Sequence, residues 1–443
     1  MPDTSRKSYV DLFRTPEFSP LFLSTSAGIA AQTVSGLALG TLVFRATDSP
    51  LLSAVSMFGP ALAQVVGATL FLSGADRLAP RATLAGLSLA FAAATAALAL
   101  PGLPLWAMFA IVLAEGLIAS LGGGVRWGLL NEILAGDGRS EDGRSEDGRS
   151  EDGRSEDGRN EDGKDREGRN GDGKGGYLAG RSLFNMMSGI MQITGYAAGG
   201  ALLTLLAPRL CLLLAAGLYG TAACLALRLT RRPPRASGRP SVAATHRTNA
   251  LLWRSAPRRH VYLALWLPNG LVVGCESLYV SYDPGAAGTL FACAALGMLA
   301  GDVAVGRLLP VRLRPRLGIP LLVLLAAPYL VLFLRPPLPL TAVLVALASV
   351  GFGASLVQQE RLVALTPGEL AGHALGLHSA GMLTTQGVAA ALAGTVAQFS
   401  SPATAMTVMA AGSLAVTLTL TVASRRNAAD GGLLPRREAR AAA

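Results

Sequence analysis

LPLTAVLVALASVGFGASLVQ, residues 338–358, holds no charged side chain across its whole length. As a helix rising 1.5 Å per residue it spans about 30 Å, the thickness of the hydrocarbon core of a bilayer. Eleven other stretches read the same way, near 21–44, 51–73, 82–101, 104–124, 182–206, 208–229, 260–281, 285–309, 317–334, 374–397 and 402–423. In lipid a segment of this kind must satisfy its own backbone, which an isolated helix does and an isolated strand does not. The sequence therefore predicts an all-α, multi-pass membrane protein with twelve transmembrane helices, and the 51% hydrophobic content and mean hydropathy of +0.44 agree.

The formal charge of +10 invites a nucleic-acid reading, and the position of the charges excludes it. With a cytoplasmic N-terminus, the outer connections hold only Arg45, Arg209 and Arg335, so 35 of the 38 Lys and Arg face inward. This is the positive-inside pattern. It places both termini in the cytoplasm and the chain in the cell (inner or plasma) membrane. Nine arginines between Arg228 and Arg259 mark a cytoplasmic linker, whose expected partner is the anionic surface of the inner leaflet. The first twenty residues lack the apolar core of a cleavable signal, so the first helix is expected to direct insertion. Cys211, Cys224, Cys275 and Cys293 are scattered within spans and read as small packing residues, not as a metal or redox set.

Residues 137–163 repeat DGRSE with little variation and decay into KDREGRNGDGKGG. With no apolar side chain in the unit, nothing offsets the entropy of ordering, and a disordered loop over 137–176 is expected. The acids lack the spacing of a calcium loop, so the expected character is a simple-sequence expansion. The remaining organisation is a first half of helices 1–4 over 1–136 and helices 5–6 over 177–229, a basic linker over 230–259, helices 7–12 over 260–424, and a cytoplasmic tail over 425–443.

Those halves are related. LAGRSLFNMMSGIMQITGYAA (178–198) aligns without a gap with LAGHALGLHSAGMLTTQGVAA (370–390), an offset of 192. GADRLAPR, with Asp76, Pro80 and Arg81, and GDVAVGR, with Asp302, Gly306 and Arg307, share a D-x-x-x-[P/G]-R spacing at an offset of 226. The two offsets differ by 34 residues, close to the length of the charged block, so the block is extra to a duplicated six-helix unit. Parallel duplication of that kind recurs among transporters.

With these motifs the chain resembles the major facilitator superfamily over everything but its tails and the repeat block. GADRLAPR is similar to that family's signature between helices 2 and 3, with Pro80 in place of a glycine. The resemblance implies that Asp76, Arg77 and Arg81, and in the second half Asp302 and Arg307, latch the halves on the cytoplasmic side. The alternative is that they only anchor helix ends. GYAAGG (Gly195, Gly199 and Gly200) resembles the family's antiporter motif, with Tyr196 where proline is usual; close helix packing is the alternative explanation of the glycines.

The resemblance also implies that helices 1, 4, 7 and 10 line a central cavity. Glu115 shares a face of helix 4 with Ala119, Gly122 and Arg126, a stripe suited to such a wall. Glu115 and Glu276 are the acids well inside spans and the candidates for proton coupling, Glu115 being favoured as the more central. Helix 7 is expected to kink around Pro268. Gln32, Asn269, Gln358 and Gln386 are further cavity candidates, with Gln192 and His378 weaker ones. No nucleophile constellation, nucleotide loop or metal cluster is present in the sequence, so no enzyme, cofactor or ATP-driven reading follows. The expectation is a monomeric secondary carrier that exports a small amphipathic or hydrophobic compound against protons. The rivals are an importer of the same fold and a membrane protein that no longer transports.

Overall fold

The computed structural model describes residues 17–70, 79–146, 186–233, 242–310, 312–367 and 370–441. Among them every regular element is helical, and eleven helices are long and apolar enough to cross a membrane. The first half holds α1 (Phe18–Thr47), α2 (Pro50–Leu70), α3 (Pro80–Leu98), α4 (Leu105–Glu146), α5 over 186–205, and α6 (Pro208–Ala226). The second holds α7 (Ala256–Glu276), α8 (Ala287–Val303), α9 (Arg314–Ala326), α10 (Leu338–Val350), α11 (Ala371–Phe399) and α12 (Pro402–Ala441). α5 stands in the place of the twelfth span. α10 passes through one 3-10 turn, Gly351–Gly353, and resumes as Ala354–Ala364.

Local chemistry sets the boundaries. Pro50, Pro80, Pro208 and Pro402 open α2, α3, α6 and α12, where the missing N–H has no intrahelical partner to lose. Between α1 and α2 the chain turns through Asp48, left-handed at φ 48°, whose N–H is bonded to the Phe44 carbonyl at 2.8 Å. Aspartate is among the few residues other than glycine that reach this region readily.

Two boundaries differ from the sequence expectation. α4 runs to Glu146 and so takes in the first ten residues of the block expected to be disordered from 137. Adding turns to an established membrane helix needs no new nucleation, which is why poor helix formers can be carried along. The rest of the block lies outside the described residues. α12 likewise continues through the expected tail to Ala441. Helix 7 runs from Ala256 to Glu276 with Pro268 inside it.

The linker also holds more structure than its composition suggests, a helix over Val242–Arg254. Leu252 on it is fully buried against Val261, Tyr262 and Leu265 of α7 and Leu362 and Ala374 beyond. The Trp253 ring stacks on Trp266 at 5.6 Å. This helix is therefore packed onto the second half, while His246, Arg247 and Arg254 stay exposed.

Small residues let the helices close on one another. A Cβ on Gly297 or Gly301 of α8 would strike the Ala346 or Val350 carbonyl of α10, the close backbone approach typical of membrane helix pairs. Directed bonds add to this: Ser24 Oγ donates to the Ala222 carbonyl across α1 and α6 (2.8 Å), and Ser413 Oγ to the Pro268 carbonyl across α12 and α7 (3.1 Å). Large apolar side chains such as Leu205, Leu334 and Phe399 remain exposed on the outside. An apolar exterior is what a bilayer requires and water would penalise.

Candidate functional site in a cavity between the halves

A cavity of about 320 Å³ lies between the halves. Phe58 of α2 and Gln192 and Tyr196 of α5 line it from the first half. From the second come Glu276 of α7, Phe291 and Met298 of α8, Phe352 of α10, and Met382 and Gln386 of α11. The lining is aromatic and apolar, with two amides and one carboxylate.

Glu276 ends α7 and is 5% exposed, and its Oε1 is buried without a hydrogen-bond partner. The Tyr196 and Phe291 rings stack across the two halves at 4.8 Å, and Tyr279 meets Phe291 edge-on at 4.8 Å. Behind this wall the hydroxyls of Tyr279 and Tyr329 are bonded to each other in the interior of the second half.

Of the cavity residues expected from sequence, the structure gathers Glu276 and Gln386, together with the weaker candidate Gln192. It puts Glu115 elsewhere. The Glu115 carboxylate accepts a bond from Thr95 Oγ1 of α3 at 3.3 Å, and a Cβ on Gly122 would meet Leu87 of α3 at 2.6 Å. The stripe holding Glu115, Gly122 and Arg126 thus turns towards α3. The adjoining face of α4 is held on α2, where Gly116 packs against the Pro60 backbone. Arg126 is half-buried and Gln32 is exposed.

Asn269 is buried, with Nδ2 donating to the Leu265 carbonyl (2.8 Å) and Ser355 Oγ (2.9 Å), so it ties α7 to α10. Gln358 lies beside Gly318 of α9. Buried His378 offers its backbone carbonyl to Trp266 Nε1 at 3.1 Å. Neither Asn269, Gln358 nor His378 lines the cavity.

Asp76 and Arg77 lie outside the described residues. Arg81 is half-buried, and Asp302 and Arg307 are exposed. Charge pairs at this end that the sequence did not single out are Arg232 with Glu17 (2.5 Å) and Glu132 (3.3 Å), and Arg314 with Glu360 (2.5 Å). Arg314 also donates to the Gly306 carbonyl at 2.9 Å, within the second signature loop. Each pair closes one half on itself.

At the opposite end the halves meet directly. Ser49 Oγ donates to Gln398 Oε1 at 2.8 Å, and a Cβ on Gly394 would lie 2.7 Å from the Leu51 Cα. The glycine run divides its contacts: Gly195 and Gly199 pack on Thr33 and Val34 of α1, within one half, whereas a Cβ on Gly200 would lie 2.7 Å from the Gly288 Cα of α8, in the other. The glycines are visible in the sequence, but the helix they pack against is not.

No family model matches the sequence, and no curated protein does. Solved structures do. The nucleoside transporter NupG aligns at a TM-score of 0.64 and 13% identity, over 91% of this chain and 98% of that one. A POT family transporter in complex with a thioalcohol-conjugated peptide aligns at 0.65 and 11%, over 92% and 96%. The human organic anion transporter MFSD10 aligns at 0.58 and 16%, over 92% and 99%. Likeness at such identities speaks for the fold, and with two six-helix halves enclosing a central cavity the chain has the fold of the major facilitator superfamily of transporters.

Proposed function

We propose that the chain is a secondary carrier that works by alternating access and exports a small amphipathic or hydrophobic molecule in exchange for protons. The observation that carries this reading is the cavity between the halves, aromatic and apolar but for Glu276 and two amides. A lone carboxylate out of water needs a proton or another cation beside it. A site that exchanges one for the other couples two flows. The coupling role therefore goes to Glu276, while Glu115, bonded to Thr95, serves the contact of α4 with α3.

Movement requires contacts between the halves that can part. Those at Ser49 and Gln398 and at Gly200 and Gly288 are a single neutral hydrogen bond and a close backbone approach, and those at Tyr196 and Phe291 and at Leu62 and Gly387 are ring stacking and apolar packing, contacts that can part without separating an ion pair. Export is supported by the apolar lining and by the place of Gly200, the last residue of the glycine run, on the contact between α5 and α8. The distribution of basic residues supports termini and linker in the cytoplasm, with this contact on the outer side.

The reading is tested by joining Ser49→Cys to Gln398→Cys with a cleavable bifunctional thiol reagent, the four native cysteines having been replaced. Crosslinking should stop substrate flux into proteoliposomes, and cleavage of the reagent should restore it. Full flux through the crosslinked protein would refute alternating access about this contact.

A further inference from the structure

We infer that the cavity's ligand is a monovalent organic cation with an apolar, aromatic-sized body. The inference rests on the carrier reading above and names its substrate class. It follows from the charge balance of the walls. Among the described residues that line the cavity Glu276 is the one charged side chain, and no described Lys, Arg or His accompanies it. Its Oε1 is buried with no hydrogen-bond partner, which leaves an unanswered acceptor beside the cavity. A bound anion would set two negative charges together in a low-dielectric space. A zwitterion would leave its own carboxylate without a basic partner. A neutral polyol would require more polar groups than the Gln192 and Gln386 amides supply. A cation answers the carboxylate and meets no repulsion.

The walls suit the rest of such a molecule. Phe58, Tyr196, Phe291 and Phe352 contribute rings from both halves, and the stacked pair of Tyr196 and Phe291 joins the halves. Ring faces carry the negative side of the aromatic quadrupole and attract ammonium groups within about 6 Å. Met298 and Met382 add flexible, polarizable surface that adapts to the shape of an apolar body. A volume near 320 Å³ falls at the small end of ligand pockets.

The test is equilibrium binding to the full-length protein in detergent with two probes of similar size and opposite charge, benzyltrimethylammonium and benzylsulfonate. The parent should bind the ammonium and not the sulfonate. Glu276→Gln should weaken ammonium binding about 30-fold or more, the loss expected when one member of a buried charge pair is removed. Glu276→Asp, which keeps the charge, should retain most of the binding, and Glu115→Gln should bind as the parent does. Melting temperatures of all variants are measured alongside, so that a misfolded variant is not read as a lost site.

Equal binding of both probes, binding of the sulfonate alone, or ammonium binding untouched in a folded Glu276→Gln would overturn the assignment. So would the absence of ammonium binding from a protein that carries a neutral or anionic solute, and that result would leave the carrier reading standing. Charge-selective binding by a protein whose crosslinked Ser49→Cys, Gln398→Cys form still transports would have the opposite meaning: the cation site would stand and alternating access at that contact would fall.

Discussion

Glu276→Gln is expected to abolish proton movement coupled to transport. In proteoliposomes loaded with a pH-sensitive dye, a compound that evokes proton flux through the parent should evoke none through the variant. The reason is positional. Glu276 is the carboxylate among the described residues lining the cavity, buried and with one oxygen that has no hydrogen-bond partner, so a proton taken there lies next to whatever occupies the cavity. Coupling between two ligands typically amounts to a factor of about 5 to 150 in affinity. A neutral amide cannot exchange a proton for a cation, so that factor should fall to one. Glu276→Asp should keep part of the coupling, because it keeps the titrating group. Uphill transport unchanged in Glu276→Gln but lost in Glu115→Gln would return the coupling role to α4.

The second large effect is expected at the contact between α5 and α8. Gly288→Leu places a branched side chain where the facing atoms are the Gly200 backbone and the Tyr196 carbonyl. Backbone cannot swing aside as a flexible side chain can. Overpacking of this kind typically costs about 1–3 kcal/mol, and because the contact joins the two halves, that cost falls on the conformation in which they touch here. At about 1.4 kcal/mol per factor of ten, the population of that conformation should fall about 5- to 150-fold. A thiol reagent applied from this end should then reach a cysteine at position 192 far faster than in the parent, while turnover drops. Gly288→Ala should show a smaller shift of the same sign. Unchanged accessibility in Gly288→Leu would mean that α5 and α8 do not part here.

The architecture was legible because its signals are long. Twelve runs of about twenty apolar residues leave few alternatives, and the alignment of 178–198 with 370–390 relates helix 5 to helix 11 without any knowledge of packing. The site was less legible because helix rotation is not written in such runs. Glu115 and Glu276 look alike in sequence, both acids in apolar helices. Only the bond from Thr95 and the contact of Gly122 with Leu87 show that the α4 stripe faces α3. The aromatic wall had a faint signal, Tyr196 standing in a motif where proline is usual, but its stacking on Phe291 joins residues 95 positions apart. The linker helix was hidden by its arginines. Composition suggested a linker facing anionic lipid and carried no sign of a packed helix, whereas Leu252 and Trp253 dock it onto α7.

The central claim is a cavity that opens to the two sides of the membrane in turn, and Gln386 on its wall is the position from which to test it. A single cysteine at position 386, in a background without native cysteines, should react with an impermeant maleimide added to either side of oriented vesicles. When Ser49→Cys and Gln398→Cys are added and crosslinked to each other before the remaining thiol is probed, labelling is predicted from the side of the termini alone. Labelling of position 386 from both sides in the crosslinked protein, or from one side only in the free protein, would contradict it.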